Sequence, residues 1–200
     1  MLTGAALGFR AHSGWAAVVA LAGLAGSPAV VERTRIELAD PKNPHARQPY
    51  HAAAELELKQ AEKLIAQCVK ETKQMARQGL RVLIKDLKKK GYEVNGCGVL
   101  QGSGRALPAL EKILASHPLL HTAEGIFFRD VLTHAGERCK LSVAAVRERE
   151  LFVQGTARLR ISADELQRRL TEMGKPFGPP WGQDEKFAAL AAWLALAGMS

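Results

Sequence analysis

The sequence predicts one α/β domain, and three observations carry that prediction. The chain has 200 residues with 47% apolar and 24% charged side chains, the composition of a globular fold with an ordinary core. Its first forty residues alternate short apolar runs with turn signals. From residue 51 onward the apolar period changes to that of helices, interrupted by β-like runs.

The early runs read as an antiparallel meander. Leu7-Gly8-Phe9 is apolar, Ser13-Gly14 is a turn signal, Trp15 to Leu21 is a second apolar run, and Gly23 to Pro28 turns the chain again. Val30 to Leu38 mixes apolar residues with Glu32, Arg33, Arg35 and Glu37, the pattern of a strand with one wet face. Residues Pro41 to Pro49 hold three prolines and form a loop.

A long helix is expected over 52–91, where Leu58, Ala61, Ile65, Cys68, Val69 and Ala76 follow helical spacing. Forty residues at ~1.5 Å each would make a ~60 Å rod, too long for this domain, so a kink near Gly79 or a projecting end is expected. Gly91 has the character of a C-cap. Tyr92 to Gln101 is the next strand. Gly102-Ser103-Gly104-Arg105 then turns into a helix near Pro108 to Ser116, a second helix covers Thr122 to Arg138, and Leu141 to Val146 is β-like. A C-terminal helical extension is expected over 162–198: Ser162-Ala163-Asp164-Glu165 is a capping box, and Asp184 to Ala197 is apolar on most of its surface and so is expected to pack on the core. The whole chain, 1–200, reads as a single domain.

This order, three strands, long helix, strand, helix, strand, helix, resembles the ribonuclease H-like superfamily, which includes Holliday-junction resolvases and, more distantly, actin-like ATPases. Leu7-Gly8-Phe9-Arg10-Ala11-His12-Ser13-Gly14-Trp15-Ala16-Ala17-Val18-Val19 is similar to the resolvase opening. The resemblance implies a mixed sheet, a three-stranded meander plus two parallel strands, flanked by helices, with the C-terminal helices as additions. It also implies carboxylates on the first strand, at the end of the fourth strand and at the start of the last helix. Here Arg10 and Gln101 stand at the first two places, and Asp184 with Glu185 match the third. Two-metal chemistry needs clustered carboxylates about ions ~4 Å apart. One acidic pair beside a cation does not supply them, so ordinary two-metal nuclease chemistry is not expected.

The net charge of +8 favours a nucleic acid or another phosphate-bearing ligand as partner. The expected anion-binding residues are Arg10, Ser103, Arg105, Lys88, Lys89 and Lys90, the lysines continuing a basic stripe that begins at Arg77 and Arg81. Plainer readings stand beside these: Arg10 paired to Asp184 or Glu124, a tight strand–helix turn at Gly102, and a solvated lysine face. A second function class is a hydrolase with altered chemistry centred on His12, Glu124 and Asp184. A third is a non-catalytic scaffold that self-associates through the long helix as a homodimer.

No metal site is assigned and no cofactor is implied, although a divalent cation is compatible with the fold. His117, His121 and Glu124 lie close together, and His121 and Glu124 share a helix face that could suit a metal, but the sequence identifies no third ligand, and a capped helix start with surface histidines is the plainer reading. Cys68, Cys97 and Cys139 are odd in number and widely spaced, which fits reduced thiols in a cytoplasm. The run Trp15 to Ala25 imitates a signal peptide, but Gly14, Gly23 and His12 speak against it. No apolar run reaches the ~20 residues of a membrane span.

Overall fold

The computed structural model describes residues 1–104 and 106–199. Five strands form one mixed sheet in the order β3-β2-β1-β4-β5. β1 (Thr3–His12), β2 (Trp15–Ala22) and β3 (Ala29–Glu37) are the antiparallel meander, and β4 (Tyr92–Gln101) and β5 (Ser142–Arg147) run parallel to β1. This is the mixed sheet, a three-stranded meander plus two parallel strands, that the sequence resemblance implies. The apolar run that imitates a signal peptide is β2, fully paired between β1 and β3. Gly14, at φ +85°, makes the tight turn that sets β2 against β1.

Both faces of the central strands are buried, which explains why β1 and β2 read as near-continuous apolar runs. Ala5, Leu7 and Phe9 face one core, with Leu80, Leu87, Phe128 and Val131 from α2 (Leu58–Lys89) and α4 (His117–Arg138). Ala6, Val19 and Leu21 face the other, under α5 (Leu151–Leu159), α6 (Ala163–Met173) and α7 (Gln183–Ala197). Two short helices, α1 (Pro49–Ala54) and α3 (Leu110–Leu114), flank α4.

The structure departs from the sequence reading at three places. The long helix is not kinked near Gly79. The chain breaks at Glu55–Glu57 instead, and α2 runs unbroken for 32 residues. At Gly79 the helix lies so close to β3 that an added Cβ would sit 2.9 Å from Ile36, so that glycine serves packing rather than a break. The glycine-rich turn does not lead into a helix N-terminus, because the next helix begins only at Leu110 and has five residues. α5 was not expected; Gly155 and β-branched residues mask its helical period. α7 packs on the core as its apolar surface predicts: it lies across β1, β2 and β4 and forms the second core. It comes close enough there that a Cβ on Gly8 would stand 1.8 Å from the Ala188 carbonyl oxygen.

The apolar side of α2, including Cys68, Ala76, Leu80, Leu83 and Leu87, packs on its own domain. The feature invoked for a homodimer is therefore occupied within the chain. No helix among the described residues is long and apolar enough to cross a membrane.

Candidate functional site

The carboxyl end of β1 gathers most of the residues singled out above. Arg10 lies near the end of β1, and its side chain is 16% exposed. Its Nη1 donates to Asp184 Oδ1 at 2.6 Å and its Nη2 to Glu148 Oε1 at 2.9 Å. The guanidinium also lies 4.7 Å from the Phe187 ring centroid. Asp184 arrives on the first turn of α7. Glu185, its neighbour, is spent on the helix end, where its carboxylate accepts the Gly182 N–H at 2.7 Å. Glu148 follows β5 directly and carried no signal in the sequence, because only the parallel pairing of β5 with β4 brings it to this end.

Arg10 thus corrects its own anion-binding assignment. Both arms of the fork are taken by carboxylates, and the sum of one cation and two anions does not attract a phosphate. The plainer reading, an arginine paired to Asp184, is what the geometry shows, with Glu148 rather than Glu124 as the second acid.

His12 stacks on Trp15 with ring centroids 4.2 Å apart and planes 9° from parallel. Its Nε2 lies 3.0 Å from Asp184 Oδ1, close enough for ion pairing but outside hydrogen-bond alignment. With Ser13, His121, Glu124 and Phe128 it lines a small cavity of about 200 Å³. Of the three residues assigned to a hydrolase, His12 and Asp184 touch, and His12 and Glu124 share this cavity. Glu124 is nonetheless engaged elsewhere: its carboxylate accepts from His51 Nδ1 at 2.9 Å and from the His51 backbone N–H at 3.3 Å. His51 was missed in sequence because it belongs to a different helix, α1, and stands 73 positions from Glu124.

Gln101 ends β4 and donates to Thr133 Oγ1 at 3.3 Å. Ser103 lies in a neighbouring groove with Gln101, Arg129, Glu148 and Arg149. Arg105 lies outside the described residues.

The lysine stripe divides. Lys89 pairs with Asp86 at 2.7 Å and Lys90 with Glu32 at 2.6 Å, so neither is a free cation. Lys88 instead opens into a groove of about 450 Å³ with Arg77, Arg81, Lys85, Arg138 and Lys140. Among the described residues no carboxylate lines this groove, and none of its six cations makes an ion pair. The Arg77 Nε–H is buried with no acceptor among them. Cys139 lies in the wall; burial pushes its thiol up, while Arg77 and Arg81 pull it back. Arg138 and Lys140 join the stripe because α4 ends beside the last turns of α2, a proximity that spacing alone does not reveal.

The class defined by these features is a mixed α/β domain whose first strand ends in an arginine neutralised by two carboxylates. No protein-family model matches the chain, and no curated protein matches it. Among solved structures it is similar to the Thermus thermophilus RuvC structure, at 11% sequence identity over 94% of this chain and 91% of that one, with a TM-score of 0.47.

Proposed function

We propose that the chain is a catalytically degenerate ribonuclease H-like domain that binds nucleic acid through the basic groove between α2 and the end of α4. One observation carries this reading: among the described residues, six cations and no acid line a single groove, and one of those cations has a buried donor without an acceptor. Arg77, Arg81, Lys85 and Lys88 recur every three or four residues, which puts them on one face of α2. At ~1.5 Å per residue they cover ~16 Å, roughly the axial span of five phosphates of one strand. The other end of the sheet argues for degeneracy, because Arg10 neutralises the acids that a metal pair would require.

The test is binding of a fluorescent duplex across a salt series. Six phosphate contacts predict a loss of about 10³ in affinity between 50 and 200 mM salt. Replacing Arg81, Lys85 and Lys88 by alanine should flatten the slope of log K against log salt by about 3. Replacing Lys89 and Lys90 should leave it almost unchanged, since their charges are already paired. A duplex and a single strand that both fail to bind at low salt would sink the reading. So would a slope indifferent to the triple replacement.

The hydrolase reading rests on the contact of His12 with Asp184 beside the small cavity. It requires turnover on a phosphoester panel that is lost in His12→Ala; turnover that survives this replacement removes it.

A further inference from the structure

Three histidines from two elements converge beside the Arg10 site and take no part in it. His117 is the first residue of α4 and His121 lies one turn later, so their rings share a helix face, with centroids 4.5 Å apart. His51, on α1, fills the space between them, 4.7 Å from the His121 ring and 5.3 Å from the His117 ring. One ligand nitrogen from each ring lies within 4.8 Å of the other two.

We propose that His51, His117 and His121 form a binding site for a divalent transition metal of the zinc class, with Glu124 as a positioning residue behind His51. Three imidazoles are the donor set for zinc, cobalt, nickel or copper, and a poor one for magnesium or calcium, which take oxygen. Glu124 supplies the second observation. Its carboxylate is 3% exposed and holds His51 Nδ1 at 2.9 Å, which leaves Nε2 as the ligand atom. A buried carboxylate orienting a ligand histidine is the recurrent outer partner of such sites.

A buried acid that merely needed a cation would explain His51. It would not explain why two further histidines from another helix close around the same ring. Nitrogens bound tetrahedrally at ~2.05 Å stand ~3.4 Å apart, so the rings need to close by little more than an ångström. His117 and His121 are exposed and free to make that adjustment. Three protein ligands leave a fourth position for an exchangeable group such as water. The small cavity shares His121 and Glu124 with the cluster and borders it with His12 and Ser13, which places that position beside polar side chains. In sequence Glu124 passed for a ligand and the third ligand was invisible; the fold exchanges those roles. The proposal uses none of the groove's cations, so either reading can fail while the other stands.

The experiment uses the tag-free full chain, stripped of metal, and titrates it with zinc and with cobalt. Expected are one ion per chain, a dissociation constant on the order of micromolar or tighter, and a visible cobalt spectrum of nitrogen ligation without thiolate charge transfer. His117→Ala and His121→Ala, both at exposed positions, should each weaken zinc binding at least ~100-fold, and Glu124→Gln ~10- to 100-fold. Circular dichroism of the two exposed-position variants should match the parent chain. Zinc affinity indifferent to loss of both exposed histidines would overturn the proposal. A stoichiometry of zero or a cobalt–thiolate band would do the same.

Discussion

The two ends of the parallel strands treat charge in opposite ways. At the carboxyl end, Arg10, Asp184 and Glu148 are partly buried, and Arg10 donates to the two carboxylates at 2.6 and 2.9 Å. Toward the amino end, six cations line an open groove with no carboxylate among the described residues. A charge that is desolvated must be paired, so the first cluster is a structural clamp that ties α7 and the loop after β5 to β1. A charge left in water costs little, and a crowd of like charges is tolerated only where solvent or an anion screens it. The lesson is that the arginine in the expected catalytic position is the cation least able to bind a ligand. The better candidates stand at the end to which the fold resemblance did not point.

That contrast rests first on how α7 is seated. Gly8→Ala would drive a methyl into the Ala188 carbonyl, a backbone contact that no rotamer relieves. A loss of about 3 kcal/mol or more is expected, read from the urea midpoint. An unchanged midpoint would mean that α7 does not rest on β1, and that the clamp holding Asp184 is not as described.

Arg10→Ala tests the clamp itself. It leaves two partly buried carboxylates facing each other without their cation, and a loss of about 2–3 kcal/mol is expected at neutral pH. A loss under half a kilocalorie would make Arg10 a solvated charge like those of the groove, and the comparison would collapse.

Much of this architecture was legible in the residues. β4 was read from Tyr92 to Gln101 as observed, and the meander and its turns followed from apolar runs cut by Ser13-Gly14 and Gly23 to Pro28. Local periodicity carries that information because it is local physics. The candidate sites were legible only in pieces. Arg10 with Asp184 could be guessed from the resemblance, but Glu148 could not, since it reaches the site through strand pairing. His51 was hidden by its 73-residue separation from Glu124, and Lys89 and Lys90 looked free because their partners' positions, Glu32 above all, depend on how α2 lies against β3. Whether a charge is paired is a tertiary property, and one sequence gives little purchase on it.

Between the two ends lies Cys97, on β4 and fully buried. Burial, with a smaller contribution from Cys139, pushes its thiol up to about 12. The folded state therefore holds the proton more tightly than the unfolded chain does. Stability is unaffected below the unfolded thiol range near pH 8.5–9 and falls as pH rises above it toward about 12. This thiol should account for about 1.5–2 kcal/mol of lost stability by pH 10. Urea midpoints of the chain and of Cys97→Ala at pH 8 and pH 10 check it: the variant should lose less between the two pH values. Equal losses would mean that Cys97 is not sealed in the core.

The smallest effect on stability is expected where the largest effect on binding is. Arg81→Ala, Lys85→Ala and Lys88→Ala remove exposed charges that make no ion pair among the described residues, so each should shift stability by no more than about 0.5 kcal/mol. The triple replacement should leave the melting temperature unchanged or slightly raised at low salt, because it relieves repulsion among six like charges. Added salt should erase even that gain, since exposed charges are screened over ~10 Å at 0.1 M. A clear drop in melting temperature would instead assign these side chains a structural role like that of Arg10. Unchanged stability combined with a flattened salt slope would separate the two ends by function, one cluster holding the fold and the other free to meet a polyanion.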